Sequence, residues 1–236
     1  MLGKQKGKAD MVNESGVKSQ ESGVRRLKTP LSKDDVLNLK VGDMVLINGL
    51  IVTGRDKVHK FLTNERPDKK DIPFDLDGGI IYHCGPIIKD HNQLCVMRNA
   101  LKDKNSSLIT DYSSLKLIAA GPTTSMRVEM YEAEVIKMYG IRGIIGKGGM
   151  GEKTLNAMRE CGCVYFHTIS GAAPYLADRI KSVVNGWKIE EFGAPEAMWL
   201  LEVEEFPAIV TMDAHGNSLH RDIEKISIER LNEIIG

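Results

Sequence analysis

The chain has 236 residues, 42% hydrophobic and 27% charged, the profile of an ordinary soluble globular protein with room for one large domain or two small ones. Its 32 basic and 32 acidic residues cancel, which speaks against nucleic-acid binding, where a basic balance is the rule. No apolar run approaches the ~20 residues of a membrane span, and the N-terminus lacks the apolar core of a signal peptide, so a cytoplasmic location with no membrane contact is expected.

Residues 1–28 are polar, with the near-repeat Glu14-Ser15-Gly16-Val17 and Glu21-Ser22-Gly23-Val24, and are expected to form a disordered extension or docking arm. The folded part is expected over 29–236, as one domain, because no composition break divides it. Ser32 can cap a short helical turn, Lys33 to Leu39. Met44 to Asn48 reads as a strand, and Leu50 to Thr53 continues extended. Gly54-Arg55-Asp56 starts a helix that shows Val58, Phe61 and Leu62 on one face, with His59 at its polar edge. A polar loop over 65–77 leads to a buried strand from Gly79 to His83, ended by Gly85-Pro86. Gln93 to Met97 and Leu115 to Ala120 read as further strands.

The second of these runs into Gly121-Pro122 and a helix with Val128, Tyr131, Val135 and Met138 on one face and Gly140 as its C-cap. Ile141 to Ile145 is the next strand, followed by the loop Gly146-Lys147-Gly148-Gly149. A helix from Glu152 to Glu160, a strand from Val164 to His167, and a small-residue turn from Ser170 to Pro174 follow. Trp199 to Val203 and Ala208 to Met212 read as strands, and a terminal helix carries Ile223, Ile226 and Ile228. Strands alternate with helices, so the class is α/β.

Three strand-to-helix junctions carry a cation: Arg55, Arg127 and Lys147. A lone cation beside a helix N-terminus costs on the order of 0.3–1 kcal/mol, and the placement makes sense if an anion sits between it and the free backbone N–H groups. That points to a small carboxylate or phosphate. At Gly121-Pro122-Thr123-Thr124-Ser125-Met126-Arg127 one hydroxyl would suffice as a helix cap, whereas three in a row plus an Arg exceed that need. Arg55 beside Asp56 has a plainer reading, a surface ion pair. Gly146-x-Gly148-x-x-Gly151 also matches a dinucleotide loop, but the following strand ends His167-Thr168-Ile169-Ser170, without the acid that would hold a ribose. His83, His167 and His215 lie at strand ends and suggest no catalytic arrangement. Cys84, Cys95, Cys161 and Cys163 form no cluster spacing, and Cys161-Gly162-Cys163 reads as structural thiols.

Taken together, Gly49-Leu50-Ile51-Val52-Thr53-Gly54-Arg55-Asp56-Lys57-Val58-His59-Lys60, Gly121-Pro122-Thr123-Thr124-Ser125-Met126-Arg127 and Gly146-Lys147-Gly148-Gly149 resemble the class I fumarate hydratases, over roughly residues 30–220. In that family this region is a separate β subunit or the C-terminal domain of a longer chain; the β subunit of L-tartrate dehydratase is a close relative. The resemblance implies a swivelling β/β/α domain with layered sheets and helices, and reversible hydration of fumarate to (S)-malate or the tartrate reaction. It implies a [4Fe-4S] cluster carried by a partner α subunit, likewise a heterotetramer. It assigns Arg55, Thr124, Arg127 and Lys147 to binding the dicarboxylate and Thr123 to moving the proton next to a carboxylate. Ser125-Met126 and Val128 depart from the family's usual residues. Two readings of other classes stand beside this one: a dinucleotide-dependent oxidoreductase using the Gly146–Gly151 loop, and a noncatalytic anion-binding or scaffold subunit.

Overall fold

Two long β-branched runs organise the chain, and each is a single strand where the sequence reads as two. The computed structural model describes residues 23–90, 112 and 114–235. Strand β2 is Met44–Thr53 and β9 is Met198–Met212, paired antiparallel along most of their length. Gly49 interrupts the first pattern and Pro207, with two glutamates before it, the second. The structure absorbs both interruptions at one level. The register shifts between Ile47 and Gly49, Glu205 takes φ 50°, and the Glu205 amide donates to Asn48 Oδ1 at 2.9 Å. Paired bulges of this kind bend strands and let a sheet curl.

The larger sheet closes on itself. Strands β3 (Ile80–Tyr82), β6 (Gly143–Gly146) and β7 (Val164–His167) follow β2 in parallel order, and β9 pairs antiparallel with both β7 and β2. The result is a ring of five strands. Strands β1 (Arg25–Lys28) and β8 (Ile180–Trp187) flank it on β2 and β9, and β4 (Ile87–Asp90) pairs with β5 (Leu115–Ala119) in a separate two-stranded sheet. The mixed α/β class expected from the sequence holds.

The parallel ring strands β3, β6 and β7 bury both faces, which is why they read as unbroken apolar runs. Their side chains part by alternation. Ile80, Tyr82, Ile145, Val164 and Phe166 enter one core, while Ile81, Ile144 and Tyr165 enter the other. Helices α2 (Asp56–Asn64), α3 (Glu129–Tyr139) and α4 (Glu152–Cys161) cover this second core with Val58, Leu62, Val135, Ile136, Leu155 and Met158. Short helix α1 (Lys33–Leu37) has the expected Ser32 cap, as a full capping box with Asp35. Gly140 closes α3 in the left-handed conformation, φ 73°, as expected.

Several elements depart from the sequence reading. Strand β1 lies inside the segment expected to be an unstructured extension; Leu27 alone turns inward there, too weak a pattern to read. Strand β8 was hidden because its register shifts twice against β9, which breaks the alternation. Helices α5 (Ala173–Ala177) and α6 (Ile189–Phe192) are too short to show a period. The strand expected from Gln93 to Met97 lies outside the described residues. Terminal helix α7 (Leu219–Ile235) forms, yet Ile223, Ile226 and Ile228 on it are exposed. Among the described residues no helix is long and apolar enough to cross a membrane.

Candidate functional site

Strands β2, β3 and β6 are parallel neighbours, so their carboxyl ends share one edge of the ring. Open parallel sheets bind ligands at that edge. The chain leaves β2 into Arg55, β3 into His83 and β6 into Lys147. Strand β5 brings Pro122 to the same place through an isolated bridge to Cys84, and Thr124 pairs in the same way with Lys147. The Ser125 amide donates to the Lys147 carbonyl at 3.1 Å. The structure therefore gathers all three cation-bearing junctions and both threonines.

The three consecutive hydroxyls do different things. Thr123 donates its hydroxyl to the His83 carbonyl at 3.0 Å, and its amide donates to the same oxygen at 2.7 Å. Thr124 is exposed and, although it stands at the cap of the turn that follows, its side chain makes no capping bond. Ser125 is fully buried and points inward. A hydroxyl used only as a cap would look otherwise.

The cations are not lone, and here the dipole argument from sequence is corrected. Arg127 sits in a 3₁₀ turn, Ser125–Val128, ahead of α3 rather than in the first turn of an α-helix, and Asp56 Oδ2 lies 2.6 Å from its guanidinium. Arg55 is the N-cap residue of α2 and pairs with Glu196 at 3.2 Å, both side chains about four-fifths covered. Its plainer reading as an ion-pair residue is thus realised, though with Glu196 and largely covered rather than on the surface. Gly85 leaves the room this guanidinium needs, since a Cβ there would press on Arg55 Nη1. Lys147 makes no ion pair among the described residues.

The dinucleotide reading meets a physical obstacle. Glu129 reaches the start of α4, accepting from the Gly151 amide at 2.8 Å, the Thr154 amide at 3.2 Å and the Thr154 hydroxyl at 2.7 Å. A carboxylate of the chain itself takes the position that a pyrophosphate would need. The first glycine of the loop has another purpose: a Cβ on Gly146 would collide with Ser125 Oγ.

Sequence reasoning missed the polar cluster behind this edge. His59, expected at a polar helix edge, is fully buried, as are His83 and Glu132. Glu132 Oε2 lies 3.0 Å from His83 Nε2 and 2.8 Å from His59 Nε2, the latter off the best hydrogen-bond line. His83 Nδ1 meets Ser125 Oγ at 2.8 Å, and that oxygen meets the Tyr165 hydroxyl at 2.8 Å. Burial alone would raise Glu132, but the two imidazoles outweigh it and hold the carboxyl well below its ordinary range. Burial also opposes charge on His59, yet the Glu132 carboxylate and the Arg55 carbonyl prevail and raise it. On His83 burial wins, and its value falls. These directions favour one carboxylate, one imidazolium and one neutral imidazole.

Three such groups could in principle ligate a metal, since their donor atoms lie within 4.8 Å of one another. The contacts of 2.8 and 3.0 Å are hydrogen-bond lengths, however. Donors bound to one ion at ~2.0–2.1 Å in tetrahedral array stand about 3.3 Å apart. The thiols fit an iron–sulfur cluster no better. Cys84 belongs to one core and Cys163 to the other. Burial pushes Cys84 up to about 12 and Cys163 well above its ordinary value, where thiolate ligands do not form readily. Cys95 lies outside the described residues.

Comparison with known proteins places this geometry. The family model described as "Fumarase C-terminus" matches residues 3–99 and 109–223. A Geobacillus stearothermophilus protein provisionally named fumarate hydratase class I is 49% identical over 213 residues, which is 90% of this chain and 37% of that protein. The chain thus spans little more than a third of that relative. A Methanocaldococcus jannaschii protein provisionally named L(+)-tartrate dehydratase subunit beta is 41% identical over 87% of this chain and 96% of its own length. The Escherichia coli K12 L(+)-tartrate dehydratase subunit beta is 33% identical over 89% and 92%.

Proposed function

This chain belongs to the fumarase C-terminus family, and from that premise we propose that it is the β subunit of a hydro-lyase acting on a four-carbon dicarboxylate, with fumarate and (S)-malate as the pair and L-tartrate as the alternative substrate. Names of relatives of both kinds support the class of reaction. We also assign the swivelling β/β/α fold implied by the resemblance, on the strength of two sheets and a helical layer.

The observation that carries the reading is Lys147. Of the three gathered cations it alone has no carboxylate partner among the described residues, and the exposed Thr124 is bridged to it. A dianion would bring a carboxylate to this ammonium and hydroxyl. Its other end calls for a second cation, and Arg127 is the more available, being half-exposed against a half-exposed Asp56. An Arg can hold a carboxylate through two parallel N–H bonds. Arg55, pinned by Glu196, would shape the wall and add positive potential.

Hydration places a hydroxyl on one olefinic carbon and a proton on its neighbour. Thr123 is the proposed carrier of that proton. Its hydroxyl hydrogen rests on the His83 carbonyl, which leaves its lone pairs free to face the substrate. Threonine is a weak base unaided, so a carboxylate from the partner subunit must complete the relay. A [4Fe-4S] cluster, in this reading, belongs to that α subunit and supplies Lewis-acid chemistry when bound. The test is to purify the chain with its partner subunit anaerobically and follow both fumarate hydration and L-tartrate dehydration. Turnover of one supports the reading and names the substrate; turnover of neither overturns it.

A further inference from the structure

Behind the proposed site a chain of buried polar contacts, hydrogen bonds and one ion pair, ties together the segments that carry it. Tyr165 Oη lies 2.8 Å from Ser125 Oγ, and Ser125 Oγ lies 2.8 Å from His83 Nδ1. His83 Nε2 and His59 Nε2 both meet Glu132 Oε2. His59 Nδ1 meets the Arg55 carbonyl at 2.8 Å. All five side chains are buried.

The hydrogens along it follow from the partners once His83, whose value burial lowers, is neutral. An ionised carboxylate and a carbonyl only accept. His59 Nδ1 therefore donates to the Arg55 carbonyl, and its Nε2, 2.8 Å from Glu132 Oε2 but off the hydrogen-bond line, pairs with that carboxylate as an imidazolium by charge rather than by a formed hydrogen bond. His83 donates from Nε2 to Glu132, so its Nδ1 accepts from Ser125. Ser125 having donated, its oxygen accepts from Tyr165. Tyr165, Ser125 and His83 thus donate in one direction, toward Glu132, while His59 donates outward to the Arg55 carbonyl. Buried hydrogen bonds of this kind are electrostatically strong in the low dielectric of a protein interior.

We propose that Glu132 is the positioning residue of the site: through His83, Ser125 and Tyr165 on one side and His59 on the other, it holds the loops bearing Thr123, Lys147 and Arg55 in register without touching substrate. The link to Thr123 is direct, because the His83 carbonyl accepts both its amide and its hydroxyl. The link to Lys147 passes through Ser125, whose amide binds the Lys147 carbonyl. The inference rests on the dicarboxylate reading of this edge.

Two measurements test it. Nitrogen-15 NMR of the full chain near neutral pH should show His59 as imidazolium and His83 as the neutral Nε2–H tautomer. In Ser125→Ala the His83 Nδ1 signal should shift while His59 stays cationic. A neutral His59, or His83 protonated on Nδ1, would overturn the assignment. In the complex with its partner subunit, Glu132→Gln and Ser125→Ala should each lower kcat by about 10²-fold, the scale of a small misplacement of reacting groups, with KM changed only a few-fold. Ser125→Ala leaves the Glu132 contacts in place, so it remains informative should Glu132→Gln fold poorly. An active wild-type complex with an unimpaired Ser125→Ala sinks the positioning role alone. A wild-type complex that turns over no dicarboxylate sinks the reading of the site and the role together.

Discussion

Helices α2 and the segment running into α3 are tied together twice, and the two ties could hardly differ more. Near the open edge Arg127 meets Asp56 at 2.6 Å with side chains 52% and 40% exposed. One turn further along each element, His59 meets Glu132 at 2.8 Å with both side chains wholly covered. The outer pair sits in water, which screens it and can replace either partner, so it contributes ~0–1 kcal/mol. The inner pair has no solvent to fall back on. Its charges exclude each other from the core unless they stay together. The same two elements thus carry a contact that can open for a ligand and one that cannot.

The sharpest way to break the comparison is to delete one member of each pair. Glu132→Ala strands His59 and His83 in the core and is expected to cost about 3–5 kcal/mol of folding stability, read as a lowered urea midpoint. Asp56→Ala should move the same midpoint by no more than ~1 kcal/mol. Equal, small losses from both would mean that the inner groups are hydrated in solution.

Lys147 extends the comparison to a cation with neither kind of partner. Losing a charge-assisted hydrogen bond to a substrate carboxylate costs about 1.5–3 kcal/mol, so Lys147→Met is expected to lower kcat/KM in the assembled complex by roughly 10–150-fold. The chain's melting temperature should hold. A large fall in melting temperature with full activity would make Lys147 a structural residue. Titration calorimetry with NAD, NADP and flavin should meanwhile show no saturable binding, given Glu129 at the start of α4.

How much of this could be read in the sequence follows from the reach of each signal. The turn-to-helix glycines, the Ser32 cap and the strand runs are local patterns, and they stand in the fold. That Arg55, Thr123, Thr124, Arg127 and Lys147 converge came from motif resemblance; no spacing in the chain brings 55, 123 and 147 together, because the ring's strand order does so. The buried cluster was missed for a different reason. His59 was set beside Val58 and Leu62 but read as a polar edge, and Glu132 was passed over within a helix judged by Tyr131, Val135 and Met138. Yet Glu132 lies three and four residues from Val135, Ile136 and Val128, all buried, squarely on the inward stripe. A carboxylate on one helix's apolar stripe and a histidine on another's is the signal that could have paired them. The ion pairs of Arg127 and Arg55 had no such trace, since Asp56 and Glu196 sit 71 and 141 residues away in sequence, which is why both cations read as lone.

Acid sharpens the inner half of the comparison. His59 is held above its ordinary value by burial's loss to Glu132 and the Arg55 carbonyl, and His83 below it by burial. Below the unfolded imidazole value of about 6.5, the unfolded chain binds a proton on each, while the native cluster binds one, on His59. His59's contribution is therefore fully present there and fades only as pH rises through its raised value. In Glu132→Gln the Arg55 carbonyl is left against full burial without the carboxylate, so the native state is expected to give up the His59 proton. Between about pH 6.5 and 5 the variant should lose stability more steeply than wild type by one proton's worth, about 1.4 kcal/mol per pH unit. Denaturant midpoints across that window check it. Parallel curves would place His59 neutral in the wild type as well. Glu132's own contribution is present above ~4.3 and is lost only as pH falls from there toward its depressed value.

The smallest effect is the most telling for the outer pair. If Arg127 must leave Asp56 to take a substrate carboxylate, Asp56 competes with the substrate for one guanidinium. Asp56→Asn keeps the shape and removes the charge. It should leave stability within ~1 kcal/mol of wild type and lower KM in the assembled complex a few-fold, with kcat little changed, because the interaction freed is one of binding rather than of the transition state. The gain should shrink at high salt, which screens exposed charges beyond about 10 Å at 0.1 M and closer in as salt rises. A raised KM would give Asp56 the opposite part: an orienting partner that aims Arg127 at the substrate instead of withholding it.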